Sequence, residues 1–569
     1  MRWTLDCTTA QDELEQLHLS LNRDPERPVD LLVSQLLLNR GIKSWEEAKT
    51  FFRPELENLH DPFLMKGMHS AVDRIIQAIE KEQRILIYGD YDVDGTTAVS
   101  LVYEFLSQYS SQLMYYIPDR YTEGYGISMK GIEFAKDHEI NLIIALDCGI
   151  KDYEAISFAN SYSIETVVCD HHQPSTKLPE AFAILNPKQK DCEYPYKELC
   201  GCGVGFKLIQ ALSLKWGLSI EKLRYYLDFV ALAIGADMVP LDGENRILSY
   251  WGMLEIQKGE RIAFRTLLGK TKEFDELSLT DLNFSLAPKI NAAGRMKHAE
   301  QAVSLMLVNN EEQAVDLADQ IKKYNLERRT LDQAITKQAL RQIIESGAEE
   351  QATTVVYNPN WHKGVVGIVA SKLIEEFYRP TIVLTKALEG ELVGSARSVK
   401  GYNLYAAIDA CSDSLLQFGG HEFAAGLRLK EENLIEFKDA FEAHVAQTIH
   451  IEQQEAELIY EAELDISEIQ PKLLRILNRY RPYGPNNPQP LFISKGIKVQ
   501  GPIRSIGKDQ THLKFNLAHC EAIGFGMADK KEFLNGTVDL AYHIEENNYR
   551  NQRKLQMRLV DIKPSMHQS

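Results

Sequence analysis

The chain has 569 residues, of which 44% are hydrophobic and 25% charged, and its net charge is −18. This composition is ordinary for a globular protein of three or four domains, and the acidic balance argues against a general polyanion binder unless a local basic groove or bound cations offset it. The longest clean apolar run, residues 229–236, is too short to cross a bilayer, and the polar, acidic first segment is unlike a secretory signal, so the chain is expected in the cytoplasm with no membrane contact.

Eight cysteines in a chain of this length are too sparse for a disulfide framework and are expected to be reduced thiols. The trio Cys192, Cys200 and Cys202 lacks the second spaced pair of a zinc site. Residues 1–60 form a helical lead-in, with a capped helix in "SWEEAKTFFRP" that stops at Pro54. From about residue 83 short apolar runs alternate with amphipathic stretches. The runs are "RILIYGD" (84–90), "LMYYIPD" (113–119), "NLIIALDCG" (141–149), "ETVVCDHH" (165–172) and "AFAILNP" (181–187). This rhythm predicts an α/β, doubly wound parallel sheet over 61–310, with its ligand site beyond the carboxyl ends of the strands.

A helical region is expected around 203–270, and residues 311–347 read as one long helix capped by Asn309 or Asn310 and stopped by Gly347, a solvated spacer. A second, smaller α/β unit follows over 348–452, with strands at 352–358 and 380–386 around a helix at 364–378. Residues 453–569 begin acidic and turn strand-rich from about 488, as a small β-barrel does.

Acidic residues recur at the ends of the apolar runs. Asp90, Asp92 and Asp94 follow the first, Asp147 the third, Asp170, His171 and His172 the fourth, and Asp237 closes the run 229–236. Any one such aspartate is ordinarily a turn or cap residue, and an adjacent histidine pair a surface coincidence. The joint recurrence points elsewhere. Gathered on one sheet edge, these carboxylates repel one another unless cations hold them, and oxygen and imidazole donors suit Mn²⁺ or Mg²⁺. Asp92, Asp94, Asp147 and Asp237 carry four negative charges, which two divalent ions balance.

The order of these motifs resembles the DHH phosphoesterase superfamily and, more narrowly, its RecJ family of single-strand-specific 5′→3′ DNA exonucleases. The resemblance runs from about residue 60 to 563. It rests on "YGDYDVDGTTA", "LDCGI", "CDHH" and "IGADMVPL", then "APKINAAGRM", "WHKGVVGIVASKL", "GSARSVKGYNL", "GGHEFAAG" and "RPYGPNNPQPLF". Met238 is a mild departure, since small residues and valine are commoner beside that aspartate. The resemblance implies a DHH catalytic domain, a DHHA1 substrate-binding domain and a C-terminal OB-fold barrel. It implies two-metal phosphodiester hydrolysis with Asp147 bridging the ions, Asp92 on one, and Asp94, His171 and Asp237 on the other. Asp90 is a supporting ligand. His172 would act on the phosphate, and Asp170 would orient a histidine.

For the substrate, "GSARS" places Arg397 and Ser398 in a glycine-flanked turn that suits a phosphate, and His421 follows a glycine pair. Arg295 and Arg120 are further phosphate candidates. The resemblance implies that this pocket takes the 5′ phosphate of single-stranded DNA. In the barrel, Phe492 is a candidate for base stacking, with Lys498, Arg504 and Lys514 along the backbone. Family membership implies a monomer working with a helicase and a single-strand-binding protein in repair and recombination. The rival readings are a phosphodiesterase for short RNA or cyclic dinucleotides, which the long C-terminal region argues against, and a non-catalytic single-strand-binding scaffold, which the intact acidic set argues against.

Overall fold

The computed structural model describes residues 1–6, 10–24, 26, 28–269, 274–387, 390–517, 520–549 and 552–565, with the backbone alone at 548, 549, 552 and 553. Residues 3–118, 123–287 and 459–569 make up one compact unit, and residues 1–2, 119–122 and 288–458 another.

The first unit is built on five parallel strands. In spatial order they are Leu113–Tyr116, Ile85–Gly89, Leu142–Leu146, Glu165–Cys169 and Ala183–Leu185. Ile85–Gly89 and Leu142–Leu146 are buried along their whole length, as strands covered on both faces must be. One face carries the helices Val93–Leu106 and Gly201–Lys215, and Leu227–Asp237 packs on both of them. The other packs Ile132, Ala135, Ile156 and Ala159 of the helices Met129–Asp137 and Tyr153–Ser161 against Leu86, Tyr88 and Ile143. In chain order the strands run 2-1-3-4-5. The sheet therefore reverses direction between Ile85–Gly89 and Leu142–Leu146, the switch point where doubly wound sheets open a crevice.

The apolar run that ends at Asp237 lies within the helical region expected around 203–270, so its aspartate closes a helix and not a strand. It is the helix Leu227–Asp237, buried from Leu227 to Gly235. A run buried all round carries no periodicity to separate strand from helix, and here length and alanine content favour the helix. Met238 then takes the left-handed conformation at φ 57°, a position where glycine is usual, and turns the chain away.

The barrel strands form a seven-stranded sheet in the order Ala462–Glu463, Phe492–Lys498, Thr537–Tyr549, Gln552–Pro564, Cys520–Gly524, His512–Leu517 and Arg504–Ile506. Its core is shared. Leu14, Leu17, Leu36, Leu37 and Ala48 of the N-terminal helices lie in one apolar cluster with Phe492, Phe515, Tyr542 and Ile562. The lead-in helices Gln11–Leu21, Leu31–Leu38 and Trp45–Phe52 thus complete the barrel rather than standing apart from it. Arg246 ties this body to the helix Gly243–Gln257. Its buried guanidinium donates to the carbonyls of Phe51, Arg479, Tyr480 and Arg481.

In the second unit the strands lie in the order Gln417–Gly420, Ala424–Lys430, Glu391–Arg397, Thr381–Lys386 and Thr354–Tyr357, with only the last pair parallel. The helix Glu311–Glu345 is about 50 Å long at 1.5 Å per residue. It is no solvated spacer: Ala314, Ala318 and Ile321 are buried toward its start, and Ile335, Ala339 and Ile343 pack on Trp361, Val369 and Leu373. Its basic residues, spread off any single stripe, concealed a broken apolar face. The seven described cysteines are buried and unpaired. Among the described residues no helix is long and apolar enough to cross a membrane.

Candidate metal centre and substrate site

The switch point gathers the acidic residues. Asp90 follows the strand Ile85–Gly89, and Asp92 caps the helix Val93–Leu106 by accepting the Gly95 N–H at 3.1 Å. Gly95 is glycine for cause: a Cβ there would lie 2.5 Å from the Asp90 carbonyl oxygen. Asp147 follows the strand Leu142–Leu146 at φ 61°, a left-handed conformation that aspartate tolerates better than most residues but that still costs about 1–2 kcal/mol. Its amide is anchored to the Cys169 carbonyl at 2.9 Å, so the strain is held by the adjacent strand.

Asp94 turns into the start of the helix Gly201–Lys215. Its two carboxylate oxygens accept the N–H groups of Gly201 and Cys202, each at 2.7 Å. One lone pair on each oxygen is thereby fixed, and the rest of the carboxylate faces His171 Nε2, 3.9 Å away. His171 Nε2 also stands 3.2 Å from Asp147 Oδ1 and 3.7 Å from Asp237 Oδ2.

Three sets of donors converge closely enough to share an ion: Asp90, Asp92 and Asp147; Asp94, His171 and Asp237; and Asp147, His171 and His172. Asp147 belongs to two of them. The electrostatics call for cations. Burial, then the charges of Asp94 and Asp92, push Asp147 well above the carboxylate range; burial and Asp92 raise Asp94 to about 7; burial, Asp94 and Asp92 raise Asp237. Asp237 is moreover the last residue of its helix, at the negative end of the helix dipole, where an anion is least welcome. Burial lowers His171 to about 3 and keeps it a neutral ligand, and the buried Asp147 Oδ1 and His171 Nε2 have no hydrogen-bond partner. Carboxylates that resist ionisation together, with bare donor atoms between them, fit two divalent ions of the Mn²⁺ or Mg²⁺ kind.

Asp170 does different work. Its Oδ1 accepts the backbone N–H groups of His171 and His172 and the His172 ring Nδ1–H at 2.7 Å, and its Oδ2 accepts the Ile150 N–H at 3.0 Å. Burial opposes its charge, but the His172 hydrogen bond and charge outweigh it and hold Asp170 at about 2. In return Asp170 raises His172 against the cost of its burial, and its hold on Nδ1 leaves Nε2 for a substrate.

Two participants escaped the sequence reading. The Tyr125 hydroxyl donates to the Asp147 carbonyl at 3.0 Å and lies 3.0 Å from His172 Nδ1. The second is Gly201, where a Cβ would sit 2.5 Å from both Asp147 Cβ and Oδ1. The glycines of "GCGVG" at a helix start were the available signal for such a close approach. Gly201→Ala is expected to leave the fold intact at a cost of about 1–3 kcal/mol. By displacing Asp147 it should lower kcat on the order of 10²-fold. Thermal unfolding and steady-state rates check both, and full activity in this variant would show that the Asp147 position is not critical.

The matches to known proteins now bear on this geometry. Residues 84–234 match the DHH family, N-terminal domain, residues 350–447 the DHHA1 domain, and residues 460–561 the RecJ OB domain. The single-stranded-DNA-specific exonuclease RecJ of Bacillus subtilis is 34% identical over 99% of this chain and 70% of its own length. The chain belongs to the RecJ family. The RecJ of Escherichia coli is 32% identical over 97% of this chain and the whole of its own length. The crystal structure of RecJ with Mn²⁺ from Thermus thermophilus superposes with a TM-score of 0.83 at 27% identity, covering 99% of this chain and 79% of that one. The α/β architecture with DHH, DHHA1 and OB domains is that of the RecJ family.

The remaining site candidates of this RecJ-family chain lie in the second unit or on the barrel. Arg397 is the last residue of the strand Glu391–Arg397, not part of a glycine-flanked turn, because both neighbouring strands extend pairing to it. Its Nη1 donates to Ser395 Oγ at 3.0 Å and to the Ala396 carbonyl, and partial burial lowers its pKa, with no carboxylate beside it among the described residues. Ser398 is otherwise engaged, its hydroxyl donating to the Tyr402 carbonyl at 2.8 Å. His421 is exposed in the hairpin between Gln417–Gly420 and Ala424–Lys430. Arg295 Nη1 donates to the Gly364 carbonyl at 3.0 Å, and Arg120 belongs to the short segment 119–122 of the same unit.

On the barrel, the expectation for Phe492 is corrected. Its ring is fully buried against Tyr542 and has no face to offer a base, because its strand turns that side inward. Phe525 is an exposed aromatic there, as is Phe533, and its ring lies 5.2 Å from His512. Lys498 and Arg504 are exposed, and Arg504 stands opposite Lys514, which pairs with Glu521 at 2.8 Å.

Proposed function

We propose that this chain is a metal-dependent exonuclease that hydrolyses single-stranded DNA from its 5′ end to mononucleotides. The observation that carries the reading is the convergence of Asp90, Asp92, Asp94, Asp147, His171 and Asp237 at the switch point of the sheet, with Asp147 common to two donor sets. The cofactors are two divalent cations, Mn²⁺ or Mg²⁺. When bound, they make a water nucleophilic at neutral pH and neutralise charge on the phosphoryl oxygens.

The residues divide the remaining work. Asp94 is aimed by the Gly201 and Cys202 amides and Asp147 by its strained backbone, so the donor atoms are placed before substrate arrives. His172, held by Asp170 and raised toward its charged form, presents Nε2 to the scissile phosphate to stabilise charge or protonate the leaving oxygen. Arg397, half-buried and with no carboxylate beside it among the described residues, receives the terminal 5′ phosphate together with His421, and Arg295 and Arg120 contact the strand. Ser398 is given up as a side-chain ligand, and Ser395 takes its place beside Arg397. Lys498, Arg504 and Lys514 form the basic track on the barrel, with Phe525 as the stacking surface in place of Phe492. The domains are assigned as 61–310 catalytic, 311–347 connecting helix, 348–452 substrate-binding and 453–569 barrel, completed by 1–60. We place the enzyme in the cytoplasm as a monomer in DNA repair and recombination, acting where a helicase and a single-strand-binding protein open and coat an end.

The test is a long, 5′-phosphorylated, 5′-labelled single strand. Mn²⁺ or Mg²⁺ should support release of labelled mononucleotide, a chelator should stop it, and a blunt duplex should be spared. Cleavage of dinucleotides alone would favour the short-RNA or cyclic-dinucleotide reading, and binding without turnover the scaffold.

A further inference from the structure

The motif "WHKGVVGIVASKL" contains a cation with no part in the reaction described above. Within the second unit, Lys363 is exposed and places its ammonium 4.1 Å over the ring of Tyr121. Among the described residues it makes no ion pair. The Asp119 carboxylate, whose charge acts on it, is engaged by the N–H groups of Tyr121 and Thr122 and the Thr122 hydroxyl, at 2.8–3.0 Å. Burial lowers the pKa of Lys363, as for a cation whose surroundings include too little negative charge. Its neighbour His362 accepts the Gly364 N–H on Nδ1 at 3.1 Å, which leaves the Nε2–H as a donor.

This arrangement is built, not incidental. The Tyr121 hydroxyl donates to the Arg295 carbonyl, and Arg295 Nη1 donates back to the Gly364 carbonyl at 3.0 Å. Gly364 lies beneath the contact, and a Cβ there would come within 2.3 Å of the Tyr121 hydroxyl. Three residues on, Gly367 approaches Arg397 so closely that a Cβ would lie 3.3 Å from Nη2. One short segment therefore carries both the Lys363 platform and the close approach to Arg397.

We propose that Lys363 and the His362 Nε2–H bind a phosphodiester of the single strand next to the terminal-phosphate pocket, with the Tyr121 ring holding the ammonium in place. The ligand is an internal phosphate monoanion, so the contact reads strand continuity and not the 5′ end. Lys363 is a positioning residue; it touches backbone, not the reacting atoms. The inference rests on the single-strand reading above.

Steady-state kinetics of the full chain on a 5′-phosphorylated oligothymidylate, over a salt series, test it. Lys363→Ala should raise KM about tenfold with kcat within about twofold. It should also lower the slope of log kcat/KM against log salt by about 0.7, one phosphate contact on a single strand. Lys363→Arg should restore both. Tyr121→Leu should reproduce the loss, whereas Tyr121→Phe should not. The Lys363→Ala defect should persist on a strand with a 5′ hydroxyl. A defect that vanishes on that strand, or an unchanged KM and salt slope in a variant of an otherwise active enzyme, would overturn the subsite and leave the exonuclease reading standing. A parent enzyme inactive on every single strand would instead sink that reading and this one with it.

Discussion

Asp147→Asn is expected to abolish strand cleavage while the chain folds as well as the parent does without metal. Asparagine keeps the shape and tolerates the left-handed φ of 61° that this position imposes, so the backbone is not disturbed. In the metal-free parent, burial and the neighbouring carboxylates already hold Asp147 toward its neutral form, so a neutral amide there adds no electrostatic strain. What it removes from function is larger. Loss of an outer-shell partner of a metal ligand typically costs about 10–100-fold; loss of the one carboxylate that belongs to two donor sets among the described residues should exceed that. Asp147→Ala should be equally inactive but less stable, since alanine is poorer at positive φ. A thermal-shift series separates binding from chemistry. Mn²⁺ at about 100 times its dissociation constant should stabilise the parent by about 2.7 kcal/mol and leave Asp147→Asn nearly unmoved. Turnover retained in Asp147→Asn would end the two-metal assignment.

The second large effect concerns the 5′ end. The parent is expected to degrade a phosphorylated strand faster than the same strand bearing a 5′ hydroxyl, and Arg397→Ala should erase that preference. A charge-assisted contact from a half-buried guanidinium contributes about 1.5–3 kcal/mol, or roughly 10–150-fold in kcat/KM. Arg397→Lys should recover only part of it, because a point charge cannot reproduce the planar fork held against Ser395 and Ala396. If Arg397→Ala still discriminates, the terminal phosphate binds elsewhere and the burial of this arginine has a structural purpose.

Different parts of the molecule were legible to different degrees. All five strands of the first sheet were visible as apolar runs, and the acidic residues that close four elements were visible as a recurrence. The helix Leu227–Asp237 was legible only as part of a helical region around 203–270, because uniform burial erases the periodicity that would set its bounds. Phe492 was open to misreading for a related reason. An aromatic ring in a strand looks the same whether it faces base or core, and only pairing with the Thr537–Tyr549 strand decides which. The long helix Glu311–Glu345 hid its apolar contacts among polar residues, since small alanines make a narrow stripe.

Donor chemistry and strand endings are local properties, written into neighbouring residues by propensity and pattern. They are enough to nominate Asp92, Asp94, Asp147, Asp170, His171, His172 and Asp237. Which of these donors come close enough to share an ion, that Asp170 is hydrogen-bonded to His172, and that Gly201 must stay bare for Asp147 to fit follow from packing. Such facts depend on distances between segments remote along the chain, and those distances exist only once the sheet has reversed at its switch point and the helices have closed over it.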